Sequence, residues 1–169
     1  MLFRSGTGKS ALARALAPFV APEPGAVIVR SDVERKLLAG VGETDRLPGR
    51  AYTTEANTKV YARSVDKAGR IVAAGHSAVV DAVFARANER AAIATVAETV
   101  GVSFRGLFLV ADLDVRLARI GQRTGDASDA DAAVARQQER YELDDLDWVR
   151  IDASGTPAET LAKARAALA

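Results

Sequence analysis

A chain of 169 residues suggests one domain with enough length to bury a substantial core. It carries 23 basic and 22 acidic side chains, a formal charge of +1, so no global field draws it to nucleic acid or to an anionic membrane. The lack of cysteine excludes disulfides, thiolate zinc sites and cysteine nucleophiles, and the single histidine, His76, argues against a histidine metal cluster or a Ser-His-Asp triad. No apolar run approaches the roughly 18 residues of a membrane span, and no signal peptide is visible. The expectation is a soluble, cytoplasmic protein.

In chain order, the first signal is "RSGTGKSALA", residues 4–13. Gly8, Lys9 and Ser10 end the phosphate-loop pattern G-x-x-x-x-G-K-[ST]. Gly6 and Gly8 let the backbone wrap a phosphate with its N–H groups turned inward, and the helix expected over 9–17 adds its positive N-terminal end. In that frame residues 5–11 (Ser5, Gly6, Thr7, Gly8, Lys9, Ser10 and Ala11) bind ATP. Lys9 reaches the β- and γ-phosphates, and the Ser10 hydroxyl ligates Mg²⁺. Phe3 stands where the pattern has its first glycine, so its side chain must point away from the phosphates.

The apolar run "AVIV" (26–29) reads as a buried strand, followed by "RSD" and a helix over 32–39. Asp32 at a strand's C-terminal edge sits where open α/β sheets bind ligands. It suits a base that accepts the proton of an attacking hydroxyl, with Arg35 one helical turn on as a substrate contact. The bland alternative is that Ser31 or Asp32 caps the helix. Residues 40–55 read as a loose loop. Residues 54–74 read as a long amphipathic helix with Val60, Ser64, Ile71 and Val72 near one face.

"AVVD" (78–81) is the next strand. It ends on Asp81, a carboxylate placed to hold Mg²⁺ across from Ser10. Arg86 and Arg90 open the helix over 86–99 and suit an anionic acceptor or, more blandly, a charged helix flank. The strand at 105–110 leads to a helix over 112–123. There the spacing puts Arg116, Arg119 and Arg123 on one stripe, either a solvated basic face or cations of a mobile cover. A polar loop (123–131) and a helix over 129–142, entered at Ser128-Asp129, follow. "WVRID" (148–152) is the last strand. Gly155-Thr156-Pro157 opens the helix over 156–168. Strands alternating with helices point to an α/β fold with a parallel sheet covered on both faces.

Taken together, "SGTGKSALARALA", "RSDVERK", "VVDAVFARANER", "RLARIGQRTGDASDAD" and "IDASGTP" resemble the P-loop kinase superfamily. The resemblance is to its small ATP-dependent kinases labelled AAA-family ATPases, akin to polynucleotide kinase, gluconate kinase and zeta toxins. It implies a three-layer sandwich with sheet order 2-3-1-4-5 and a helical lid near 116–140. By the same resemblance Asp32 is the acceptor-activating base, Asp81 the second Mg²⁺ group, and Arg119 and Arg123 lid arginines. Asp152, Ser154 and Gly155 in "DASG" then form the adenine-side loop. Only Met1 to Arg4 precede the phosphate loop, so the central first strand is expected to be largely missing. Such domains often follow an aminoglycoside-phosphotransferase-like domain, and the chain is expected to be a truncated C-terminal piece of such a fusion. The expected activity is transfer of the γ-phosphate of ATP to a hydroxyl of a small-molecule acceptor, with a nucleic-acid acceptor disfavoured by the near-neutral charge. A regulatory ATP-binding module or NTPase without phosphotransfer, or an inactive fragment of such a kinase, is the rival reading.

Overall fold

The computed structural model describes residues 2–122, 127–138 and 147–168. Among the described residues there are five short strands: β1 (Leu2–Phe3), β2 (Val27–Arg30), β3 (Ala78–Asp81), β4 (Leu107–Val110) and β5 (Val149–Asp152). The helices are α1 (Lys9–Leu16), α2 (Ser31–Ala39), α3 (Thr54–Ala73), α4 (Ala87–Val100), α5 (Leu113–Gly121), α6 (Ala132–Gln137) and α7 (Pro157–Ala166). Short 3₁₀ turns lie at Ala17–Phe19 and Gly49–Tyr52.

Every strand pairing is parallel, because a helix separates each strand from the next. The ladders run β2-β3 and β1-β4-β5. This is the expected neighbour order except at one place: β1 has two residues, pairs with β4, and forms no ladder with β3. The direction of the Phe3 side chain lies outside what is described.

Alternation along β4 shows how the layers form. Phe108 faces a cluster with Val29, Ala68, Val80, Phe84 and Ile93, which α3 and α4 cover. Leu107 and Leu109 face the other side, against Leu12, Leu16, Ile151 and Ala164 from α1, β5 and α7. Successive strand residues point to opposite faces, so a sheet buried on both sides needs the unbroken apolar runs seen here.

The long α3 buries Val60, Ser64 and Ala68, one residue per turn, and starts with Thr53 accepting the Ala56 N–H. α7 opens with a capping box, Thr156 and Glu159, and Pro157 stands in its first turn. α6 is capped by Asp131, whose carboxylate accepts from Ala133 and Val134 N–H. This corrects the expected entry at Ser128-Asp129, because Asp129 has other partners. Among the described residues no helix is long and apolar enough to cross a membrane.

Candidate active site

The β2–β3 register sets the site. Arg30 pairs with Asp81, so both strands end level, and Asp32 follows Arg30 by two residues. α1 packs beside this edge. Its Ser10 hydroxyl donates to Asp81 Oδ2 at 2.6 Å, and both groups are buried. Arg30 Nε lies 3.4 Å from the same oxygen. Sequence reasoning gave Arg30 no part. Its signal was present, a cation on the last residue of a strand, but its partner is remote in sequence and only the ladder joins them. Asp81 Oδ1 is buried and has no hydrogen-bond partner. A buried acceptor left open beside a serine hydroxyl suits a hard divalent cation that takes oxygen ligands.

The phosphate loop leads into α1. Gly6 and Gly8 adopt φ of +86° and +88°, which a side chain resists, and Gly8 is the residue before the first helical turn. Lys9 is 5% exposed and makes no hydrogen bond or ion pair among the described residues. A lysine with its stem buried and its ammonium unpartnered at the phosphate loop suits an anion. Ser5 and Thr7 are buried, and Ala11 is exposed on α1.

Behind the loop, Arg116 is wholly buried. Its Nε donates to Ser5 O at 2.8 Å and its Nη2 to Ala135 O at 3.1 Å. Gln138 Oε1 accepts the Ser5 N–H. The stripe reading is therefore corrected: Arg116 braces the phosphate loop from α5 instead of covering it. Arg119 donates to Ala153 O at 2.8 Å and Gly155 O at 2.7 Å. Both of its Nη atoms are thereby committed to the segment 152–155. Arg123 lies outside the described residues.

Asp32 is half-buried and makes no hydrogen bond or ion pair among the described residues. Arg30 occupies the position before α2 and no side chain caps that helix, so the capping alternative for Ser31 or Asp32 does not apply. Arg35 is buried. Its Nη1 donates to Ala51 O at 2.7 Å, its guanidinium lies 4.8 Å from the Tyr52 ring centre, and its Nε has no partner.

Arg86 is exposed at the start of α4, on a groove of about 220 Å³ shared with Tyr61 and Glu89. Burial raises the Glu89 pKa, against the opposing Arg86 N–H. Arg90 Nη1 donates to Phe84 O and Ala85 O, each at 3.1 Å. Neither arginine bonds Asp32 or Asp81. Arg90 secures a strained turn, since Phe84 has φ +44°, a region costing about 1–3 kcal/mol for such a residue. The Phe84 N–H also donates to Tyr61 Oη at 2.9 Å, and its ring meets Tyr61 and Trp148 edge-on. This turn follows Asp81 directly, and its bracing fixes the C-terminal end of β3.

On the other flank, Asp152 is exposed. It accepts from Ser154 N–H and from Lys163, and Ser154 Oγ accepts the Asp112 N–H. The Ser154 N–H, with Lys163 and the Ser154 hydroxyl, lowers the Asp152 pKa to about 2 from an ordinary 3.8. A depressed carboxyl stabilises the fold fully above the ordinary value and loses that contribution as pH falls toward the folded value. Asp152→Asn is expected to flatten part of the acid limb of Tm against pH between about 4 and 2. An acid limb identical to wild type would show that these contacts do not persist in solution.

Residues 4–143 match the family described as AAA domain. The chain belongs to this family. Over 162 residues this AAA domain is 32% identical to the uncharacterized protein Rv2004c of Mycobacterium tuberculosis, covering 94% of the chain and 32% of that relative. A Mycobacterium bovis protein, Mb2027c, matches equally. The chain thus spans about a third of the length of the curated relatives it matches.

Solved structures share its fold. A gluconokinase from Sinorhizobium meliloti aligns with TM-score 0.68 and 21% identity, over 99% of this chain and 88% of that one. The Mycobacterium tuberculosis APS kinase CysC, in complex with AMPPNP and APS, aligns with TM-score 0.70 and 19% identity, over 99% and 95%. A sugar kinase from Janibacter aligns with TM-score 0.67 and 18% identity, over 99% and 91%. The AAA domain has the α/β fold of P-loop kinases.

Proposed function

We propose that this AAA domain is an ATP-dependent phosphotransferase that moves the γ-phosphate of ATP to a hydroxyl of a small-molecule acceptor. The observation that carries the reading is the partnerless, enclosed Lys9, one residue from a Ser10 hydroxyl held on Asp81. The loop N–H groups and Lys9 bind and orient the phosphates. Ser10 and Asp81 would hold Mg²⁺, which neutralises phosphate charge when bound. Asp32, uncommitted in the first turn of α2 just past β2, accepts the acceptor's hydroxyl proton as that oxygen bonds the γ-phosphorus and the bond to the ADP oxygen breaks. Phosphoryl transfer rests mainly on positioning and charge neutralisation, so one base with several cations suffices. Arg119 keeps loop 152–155 in shape beside the nucleotide. The near-zero net charge favours a small acceptor over a polynucleotide, and a cytoplasmic setting supplies ATP.

The test is a calorimetric titration with ATP and Mg²⁺ of the wild type and Lys9→Ala, followed by an acceptor screen with γ-labelled ATP. Wild-type binding is expected, weakened about 10- to 100-fold in the variant by loss of a charge-assisted contact. Equal binding by both proteins would remove Lys9 from the site and the kinase reading with it.

A further inference from the structure

Residues 41–53, between α2 and α3, fold back over two cations of α2. Lys36 is 1% exposed, and its ammonium donates to Asp45 O and to both Asp129 oxygens at 2.9 and 3.0 Å. Asp129 also accepts the Leu47 N–H at 3.0 Å and the Tyr52 hydroxyl at 2.5 Å. One carboxylate, from a segment 77 residues beyond Tyr52, thus gathers the middle and the end of the loop onto α2. Tyr52 and Ala51 in turn cover Arg35, leaving its Nε buried and unpartnered.

We propose that residues 41–52 are a strap over Arg35 and Lys36, latched by Asp129, which lifts to admit the acceptor to Arg35. Naming the acceptor as what enters rests on the kinase reading; the latch itself does not. The physical argument is one of burial. An enclosed ammonium is tolerated because a carboxylate answers it, and removing the carboxylate leaves a charge that must reach water. Lys36 has a flexible stem, and the way to water is through the strap. An unpaired Arg35 Nε fits the same picture, since a donor closed in without a partner gains one when the cover opens onto a polar ligand.

The test is native-state trypsin cleavage, with products mapped by mass spectrometry. Arg46 and Arg50 are exposed strap residues, and cleavage there needs local opening of the segment. Asp129→Asn is expected to speed cutting at these two sites at least about tenfold, with other sites unchanged. Adding Lys36→Met to Asp129→Asn removes the stranded charge and is expected to slow the cutting again. Unchanged cleavage in Asp129→Asn, or no recovery in the double variant, would overturn the latch. If Asp129→Asn unfolds globally, native-state hydrogen exchange of the wild type decides. Exchange of residues 44–52 that is insensitive to low denaturant supports a lifting strap; exchange only through global unfolding overturns it. ATP titration of the wild type and Asp129→Asn separates the two readings. Retained ATP binding with a fixed strap sinks the latch alone, and lost ATP binding in the wild type sinks the kinase reading alone.

Discussion

Asp32→Asn is expected to lower phosphotransfer by about 10²–10⁴-fold while ATP binding is retained. The substitution keeps size and shape but removes the negative charge and with it the capacity to take a proton. Asp32 makes no hydrogen bond or ion pair among the described residues, so its loss breaks no structural contact. It also stands in the first turn of α2, just past β2, whereas the phosphate loop leads into α1. A kinase therefore loses turnover and keeps its Kd for ATP. A regulatory nucleotide-binding module would lose nothing measurable. Labelled-phosphate transfer and calorimetry on one preparation give both numbers, and wild-type turnover in Asp32→Asn would move the base elsewhere.

Gly6→Ala is expected to be much more damaging than Gly8→Ala, although both glycines have nearly the same positive φ, +86° and +88°. A left-handed backbone costs a side-chain-bearing residue about 1–2 kcal/mol at either place. At Gly8 the new methyl meets open space. At Gly6 it would stand 2.6 Å from Arg116 O and 2.9 Å from Arg116 Cβ, both on α5. Arg116 is itself pinned, fully buried, to Ser5 O and Ala135 O, so it cannot retreat. Overpacking adds about 1–3 kcal/mol, for a total near 2–5 kcal/mol at Gly6. Denaturant unfolding of the two variants measures the difference. Equal losses would mean that the phosphate loop and α5 are not in contact in solution.

The Gly6 contact marks a boundary of what the sequence alone reveals. That Gly6 needs a positive φ follows from the motif. That its missing side chain makes room for α5 does not, since Arg116 is over a hundred residues away. The same holds for the arginines as a class. Arg35, Arg90, Arg116 and Arg119 look alike as charges near helix starts or on a stripe, yet each guanidinium donates to backbone carbonyls of a neighbouring segment. Helical spacing says which residues share a stripe. It is silent on whether that stripe meets water, a ligand or another part of the chain.

By itself, the sequence determined the elements and the chemistry at their ends. Short apolar runs fell on strands because a sheet covered on both faces needs side chains that bury on both sides. GTGKS placed a phosphate loop because glycine adopts those dihedrals without strain, and Asp32 and Asp81 were marked as strand-end carboxylates, although Asp32 stands in the first turn of α2. Tertiary structure decided what each charge meets. Parallel register set Arg30 beside Asp81, and the fold carried Asp129 away from a helix cap and onto Lys36, Leu47 and Tyr52. A short motif prescribes backbone shape through local sterics. The partner of a buried charge comes from wherever the folded chain brings an opposite charge or a free carbonyl, and no local pattern encodes that meeting.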